Sequence, residues 1–111
     1  MENKKSIQPS SISQIILACE AGMGSSLMVV NLLKKKLKKA GVTNVTLKHK
    51  PARAVDPDTP LIVVHNSLAK VAHRKAPDAV IVTFNFFMND PAFDKLVQAF
   101  VDDEPIVSVL D

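Results

Sequence analysis

The stretch LACEAGMGSSLM, residues 17–28, joins an apolar run to a helical pattern and contains Cys19, the only cysteine of the chain. The run that leads into it, residues 15–19, is continuously apolar, as in strands that a parallel sheet buries on both faces. Beyond it, apolar residues recur at three- and four-residue steps, as on the buried side of a helix, at Val30, Leu33, Leu37 and Ala40. Gly41 is a typical helix stop. The sequence therefore predicts a strand that ends at Cys19, a glycine-containing loop and a helix.

Three further segments have the patterns of strands. Residues 45–48 alternate apolar with polar side chains, which is typical of a half-exposed edge strand. LIVVH, residues 61–65, and AVIVTF, residues 79–84, are apolar enough to be buried strands. Residues 51–60 contain three prolines and predict a connecting loop that holds at most a short turn.

Two further segments have the patterns of helices. We expect Asn66 or Ser67 to cap the helix between the last two strands, and Pro77 to end it. Asp90 followed by Pro91 predicts the start of the last helix, with a capping carboxylate and a proline at the first helical position. The side chains expected to face inward from that helix are Phe93, Leu96, Val97 and Phe100.

The order of these elements predicts one α/β domain with a four-stranded parallel sheet. We expect the strand order 2-1-3-4, with helices on both faces and a phosphate-binding loop between strand 1 and helix 1. Residues 1–11 are expected to form a flexible leader, residues 12–101 the domain and residues 102–111 a C-terminal tail. Open α/β sheets bind ligands where the strand order reverses, so we expect Cys19 and His65 on neighbouring loops at the carboxyl ends of the strands.

Composition excludes several classes of function. With 47% apolar and 23% charged residues, the 111-residue chain resembles an ordinary globular domain. A lone cysteine forms no internal disulfide and no secretion signal is visible, so we expect a cytoplasmic protein. No apolar run approaches the roughly 20 residues of a membrane helix, so any membrane role would come through a partner. The lysines of residues 34–39 predict a solvated helix face, and we expect no nucleic acid partner, no metal site and no cofactor.

The loop after Cys19 has the composition of an anion site. The residues expected to bind phosphate through backbone amides and hydroxyls are Glu20, Ala21, Gly22, Met23, Gly24, Ser25 and Ser26. The two glycines allow backbone N–H groups to turn inward, and the positive end of the next helix points to the same place. A cysteine below such a loop suggests covalent phosphorylation, because the thiolate is a strong nucleophile. The alternative is a small buried cysteine with glycines that serve only the turn.

Two known kinds of phosphate site differ from this loop. A nucleotide-binding P-loop has a lysine after its last glycine, and here Gly24 is followed by Ser25. Low-molecular-weight tyrosine phosphatases have the pattern Cys-x5-Arg, in which five residues separate the cysteine from an arginine. Counted from Cys19, the residue at the arginine position is again Ser25. Asp90 and Pro91 do resemble the general-acid loop of those phosphatases, so a phosphatase-like enzyme stays open as a less favoured alternative.

CEAGMGSS, residues 19–26, resembles the phosphocysteine loop of the IIB components of the bacterial phosphoenolpyruvate-dependent sugar phosphotransferase system. The resemblance is closest to the mannitol type, within the lactose/cellobiose IIB-like superfamily. It extends through LIVVH and the NFF after the fourth strand. What it implies is a four-stranded parallel sheet with flanking helices and a cysteine that carries phosphate.

The resemblance also implies the partners of the chain. Cys19 would accept a phosphoryl group from a phosphohistidine of a IIA component and transfer it to a sugar or sugar alcohol bound by a membrane IIC component. The protein would then be cytoplasmic and peripheral to the inner membrane, with IIC on a separate chain. A regulatory phosphoacceptor domain, which reports flux instead of transporting a sugar, is the alternative within the same fold.

One position departs from the mannitol type. Those proteins tend to carry arginine just after the histidine that ends the third strand, and here that residue is Asn66. His65 and Asn66 are therefore candidates for residues that surround the phosphorylated loop, although His65 fits a structural role equally well.

Overall fold

The computed structural model describes residues 5–19, 24–86 and 90–109, with residues 24–26 described by their backbone alone. Its strands are β1 (Ser6–Ile7), β2 (Gln14–Cys19), β3 (Thr46–Pro51), β4 (Leu61–His65), β5 (Val80–Phe84) and β6 (Ile106–Val107). Its helices are α1 (Gly24–Lys39), α2 (Ala69–Lys75) and α3 (Pro91–Asp102). Short 3₁₀ turns lie at Pro9–Ser11, Ala52–Ala54 and Asn66–Leu68.

The main sheet has the order β3-β2-β4-β5, and all of its neighbouring strands are parallel. Counted from β2 as the first strand, this is the predicted order 2-1-3-4. Ala18 of β2 lies opposite Lys50 of β3 on one side and Val64 of β4 on the other. The order therefore reverses beside the end of β2, as the sequence predicted.

Two hydrophobic clusters lie on opposite faces of this sheet. Ile15 and Leu17 of β2 point toward the cluster formed with α1 and α3, whereas Ile16 and Ala18 point toward the cluster formed with α2 and the turn at Ala52–Ala54. This alternation follows from the two-residue period of a strand. The prediction of helices on both faces is confirmed.

Helix α1 buries Val29 in addition to the predicted Val30, Leu33 and Leu37, while Ala40 is exposed. The helix ends at Lys39, and Gly41 follows two residues later with a φ of 84°. Two hydrogen bonds satisfy the last carbonyls, from Gly41 N–H to Lys38 O at 3.0 Å and from Val42 N–H to Leu37 O at 2.9 Å. Ala40 is too close to this left-handed turn to lie on the buried face.

The predicted cap after β4 is wrong in detail. Asn66 and Ser67 belong to the 3₁₀ turn that precedes α2, and the ring of His65 caps that turn, whereas the N-cap residue of α2 itself is Leu68, which makes no side-chain capping bond. Nδ1 of His65 accepts a hydrogen bond from the Ser67 N–H at 3.1 Å. A histidine at the strand end therefore occupies the place that Asn or Ser usually fills, because an unprotonated ring nitrogen is as good an acceptor as a hydroxyl.

The N- and C-terminal segments pair with each other in the structure. β1 and β6 form a two-stranded antiparallel sheet, although the sequence assigned residues 1–11 to a flexible leader and residues 102–111 to a tail. After β6, Ser108 Oγ accepts from the Ile81 N–H at 2.9 Å, and the Val109 N–H donates to Ile81 O at 2.9 Å. These segments are too short for a periodic pattern, but they satisfy backbone groups at the open edge of β5.

Candidate functional site

Cys19 is the last residue of β2, at the carboxyl edge of the parallel sheet and at the point where the strand order reverses. Its side chain is half-buried. The thiol donates a hydrogen bond to the carbonyl oxygen of Lys50 on β3, with 3.5 Å between Sγ and O. The Lys50 ammonium in turn pairs with the Asp56 carboxylate at 2.9 Å. The thiol of Cys19 is thus held by one hydrogen bond and remains accessible from solvent.

The predicted phosphate-binding residues are only partly described. Glu20, Ala21, Gly22 and Met23 lie outside the described residues, and Gly24, Ser25 and Ser26 form the first turn of α1. The first four N–H groups of an α-helix have no acceptor within the helix. The backbone N–H groups of these three residues therefore point out of the amino-terminal end of α1, which is the positive end of the helix dipole.

His65 ends β4, the strand next to β2. Ala18 pairs with Val64, and one more residue along each of these parallel strands brings Cys19 beside His65. Nδ1 of the ring accepts from the Ser67 N–H and lies 2.8 Å from the Ser67 hydroxyl. Because a backbone N–H can only donate, the ring proton belongs on Nε2, which is 3.2 Å from the carbonyl oxygen of Asn85. His65 therefore links the end of β4 to the loop after β5.

Asp90 holds the same loop from its other end. The side chain is 5% exposed and caps α3 by accepting from the Ala92 N–H at 2.8 Å. Its second oxygen accepts from the N–H groups of Asn85 at 2.7 Å and Phe86 at 3.0 Å. Burial alone would raise the pKa of Asp90, but these three hydrogen bonds and the nearby His65 outweigh it and keep the pKa below its ordinary value of 3.8.

The geometry of Asp90 bears on the phosphatase alternative. A general acid must be protonated and must direct its proton to the leaving group. The Asp90 carboxylate is an ionised acceptor whose two oxygens bond to backbone N–H groups. A structural role therefore explains why Asp90 and Pro91 resemble a general-acid loop: the carboxylate caps α3 and holds the loop after β5 through its N–H groups.

Asn66, the other residue predicted around the loop, is exposed in the turn directly after His65. Sequence reasoning missed the carbonyl of Lys50 and the peptide of Asn85, which form contacts to Cys19 and His65. Neither contact has a side-chain signal, since each uses a backbone oxygen. The register of β3 against β2 and the reach of the histidine ring were the features that could have suggested them.

In residues 5–19, 24–86 and 90–109, no group of three or more His, Cys, Asp or Glu side chains is placed to hold a metal ion. Within those same ranges, every helix is too short or too polar to cross a membrane.

The fold and the position of Cys19 define a class of protein: a small parallel α/β domain that presents a single thiol at the carboxyl edge of an inner strand, shortly before a helix. The family description "PTS system, Lactose/Cellobiose specific IIB subunit" matches residues 14–99, which extend from β2 into α3. The chain belongs to this family of phosphotransferase-system IIB domains, as the sequence predicted, and the family supports a phosphotransfer role within the sugar phosphotransferase system.

The similar proteins are mannitol-specific EIICB components of the phosphotransferase system. The one from Bacillus subtilis is 35% identical over 101 residues, covering 87% of this chain and 20% of the relative. The one from Geobacillus stearothermophilus is 31% identical over 98 residues, covering 88% of this chain and 21% of the relative. A third, from Staphylococcus saprophyticus, is 32% identical over 97 residues. The chain thus spans about a fifth of the length of these relatives.

Proposed function

We propose that this chain is a phosphocarrier in which Cys19 accepts a phosphoryl group from a phosphohistidine of a IIA component. It then transfers the group to a sugar or sugar alcohol bound by a membrane IIC component. The observation that carries the proposal is the position of Cys19, half-buried at the carboxyl edge and five residues before Gly24, the first residue of α1. Few positions in a fold combine an accessible thiol with helix N–H groups that have no acceptor within the helix.

The chemistry consists of two in-line displacements at phosphorus. In the first, the Cys19 thiolate attacks the phosphohistidine, so that an S–P bond forms, the P–N bond breaks and the imidazole leaves with the bonding electron pair. In the second, a hydroxyl oxygen of the sugar attacks the phosphocysteine, so that an O–P bond forms and the S–P bond breaks. The hydroxyl loses its proton, and the thiolate is restored for the next cycle.

The loop of residues 20–26 would hold the phosphoryl group between these two steps. Glu20, Ala21, Gly22 and Met23 would contribute backbone amides, and Gly24, Ser25 and Ser26 would add the unpaired N–H groups of the first turn of α1. Such hydrogen bonds to a charged group each contribute about 1.5–3 kcal/mol. They would stabilise the phosphorylated thiol without supplying the guanidinium that favours its hydrolysis, because Ser25 stands at the arginine position of the phosphatase pattern.

The proposed partners follow from the family. A IIA component is the donor, and a IIC component with its bound sugar is the acceptor, which would bring this chain to the cytoplasmic side of the membrane. The similar EIICB components are named mannitol-specific, so mannitol is the first acceptor to test. Asn66 makes a second sugar alcohol a useful comparison, because the position departs from the mannitol type.

The experiment has a donor stage and an acceptor stage. The protein is incubated with phosphoenolpyruvate, enzyme I, the histidine carrier protein and a mannitol-type IIA, and the intact mass is recorded. Wild type should gain one phosphoryl group, and Cys19→Ala, with an unchanged circular dichroism spectrum, should gain none. Membranes that contain IIC and mannitol are then added, and the phosphoryl group should leave the protein and appear on mannitol.

The result separates the proposal from its alternatives. Phosphorylation of Cys19 with no transfer to any tested sugar would favour a regulatory phosphoacceptor. Steady release of inorganic phosphate from an aryl phosphate would favour a phosphatase-like enzyme. No gain of mass with any phosphorylated IIA would contradict the carrier role.

A further inference from the structure

The loop after β5 presents an exposed aromatic side chain at the edge of the sheet where Cys19 lies. Phe86 is 66% exposed and follows the end of β5 by two residues. Single exposed apolar side chains are ordinary on protein surfaces, so exposure alone implies nothing. The backbone that carries Phe86 is what distinguishes it.

The peptide group between Asn85 and Phe86 is held at both of its polar ends. Its carbonyl oxygen, that of Asn85, lies 3.2 Å from Nε2 of His65, and its N–H, that of Phe86, donates to Asp90 at 3.0 Å. Asp90 also accepts from the preceding N–H, that of Asn85. One peptide plane is thus fixed between the end of β4 and the start of α3, and this fixes the position of the Phe86 Cα atom relative to the sheet edge.

Phe86 is close enough to Cys19 to share one interface. β2, β4 and β5 are successive strands, and neighbouring strands lie about 4.8 Å apart, so Cys19 and the end of β5 are separated by roughly 10 Å across the edge. Even a transient protein interface covers about 600 Å² on each partner, which corresponds to a disc of about 14 Å radius. A protein that places a phosphohistidine at Cys19 would therefore cover Phe86.

Two further exposed apolar side chains lie near the amino-terminal end of α1. Leu27 and Met28 follow the loop in the first turns of α1, and each is 50% exposed. Apolar and aromatic side chains that surround a central group are the usual composition of a protein-binding patch, and a rigid aromatic contributes contact area at little entropic cost.

We propose that Phe86 is a contact for the protein that donates the phosphoryl group to Cys19, and that Asp90 and His65 are positioning residues that act through its peptide. This inference rests on the proposed function. The contact is assigned to the donor because the similar EIICB components are named for a C and a B component alone, so the phosphoryl donor has to bind them as a separate protein. A donor on a separate chain depends on contact area around Cys19, which an exposed aromatic side chain supplies.

The test measures single-turnover phosphorylation of Cys19 against the concentration of phosphorylated IIA. Phe86→Ala should raise the half-saturating donor concentration roughly tenfold and change the saturating rate less than about twofold. Val101→Ala is the matched control, since Val101 is 47% exposed toward the opposite end of α3, and it should match wild type.

Asp90→Ser tests the positioning role. Serine can still cap α3 by accepting from the Ala92 N–H, but it is too short to reach Asn85 and Phe86 as well. We expect a roughly three- to tenfold rise in the half-saturating donor concentration. The rate at which iodoacetamide alkylates Cys19 should stay unchanged, because the small reagent does not use the interface.

Each outcome supports or overturns either the proposed function or one role assigned to Phe86 or Asp90. If wild type is not phosphorylated at Cys19, the proposed function fails and the inference fails with it. If wild type is phosphorylated and Phe86→Ala resembles Val101→Ala, the inference alone is wrong. If Phe86→Ala slows only the later transfer from Cys19 to the sugar, the contact belongs to the acceptor and the inference is likewise wrong. If Asp90→Ser changes the alkylation rate as well, Asp90 supports the site structurally and is not a positioning residue.

Discussion

Removal of the Asp90 carboxylate should destabilise the domain more than the loss of an ordinary helix cap. A cap contributes about 1 kcal/mol, and each of the two further hydrogen bonds from a backbone N–H contributes about 0.5–1.5 kcal/mol net of the bonds that water would make. Asp90 accepts from three N–H groups, so Asp90→Ala should lower the free energy of unfolding by about 2–4 kcal/mol. Asp90→Ser, which retains the cap alone, should cost about 1–2 kcal/mol less than Asp90→Ala.

Urea denaturation followed by far-ultraviolet circular dichroism measures this difference, because the chain has no tryptophan or tyrosine to report by fluorescence. With a slope of roughly 1.5 kcal/mol per M for a domain of this size, the midpoint of Asp90→Ala should fall by about 2 M. An Asp90→Ala variant within about 0.5 kcal/mol of wild type would refute the reasoning, because it would mean that water replaces all three hydrogen bonds without cost.

The same comparison has a defined pH dependence. The folded state lowers the pKa of Asp90 below 3.8, so folding favours the ionised form of this carboxyl group over the protonated form. This contribution to stability is complete above about pH 4 and is lost as the pH falls through the folded-state pKa. The difference between wild type and Asp90→Ala should therefore be constant from pH 7 to pH 5 and should narrow toward pH 3. A difference that widens in acid would contradict the sign of the shift.

Three smaller perturbations test the rest of the fold. Ser108→Ala should cost about 1–3 kcal/mol and speed hydrogen exchange at the Ile81 amide, because it removes the acceptor of a buried N–H. Gly41→Ala should cost about 1 kcal/mol in urea denaturation, through its positive φ alone, since an added Cβ meets no atom within 4 Å. Lys36→Met should lower stability by less than about 1 kcal/mol, and less still in high salt, because its partner Asp94 is 71% exposed; a larger loss would show that the pair joining α1 to α3 is stronger than an ordinary surface pair.

Long periodic segments were predictable, and short ones were not. The apolar runs that end at Cys19 and His65 identified two inner strands, and their order followed from the edge character of residues 45–48. By contrast, β1 and β6 are two residues each, and their pairing joins segments about 100 residues apart. No local pattern encodes such a contact, because it forms only once the open edge of β5 exists.

The positions of the candidate site residues were predictable where they end a strand or begin a helix. The sequence placed Cys19 and His65 at one edge of the sheet, and the structure confirms this placement. The sequence identified Asp90 as a helix cap but did not predict that its carboxylate also accepts hydrogen bonds from residues 85 and 86. Both donors are backbone N–H groups, which almost any residue supplies. The role of residues 20–26 in binding phosphate stays a prediction.

Peptide mapping of the phosphorylated protein tests the central claim most directly. After incubation with phosphoenolpyruvate, enzyme I, the histidine carrier protein and a mannitol-type IIA, the mass of one phosphoryl group should map to the peptide that contains Cys19. Hydrolysis of this phosphopeptide should release inorganic phosphate and restore the free thiol of Cys19. A phosphoryl group found on His65, on Ser25 or on any other residue, with Cys19 unmodified, would contradict the account.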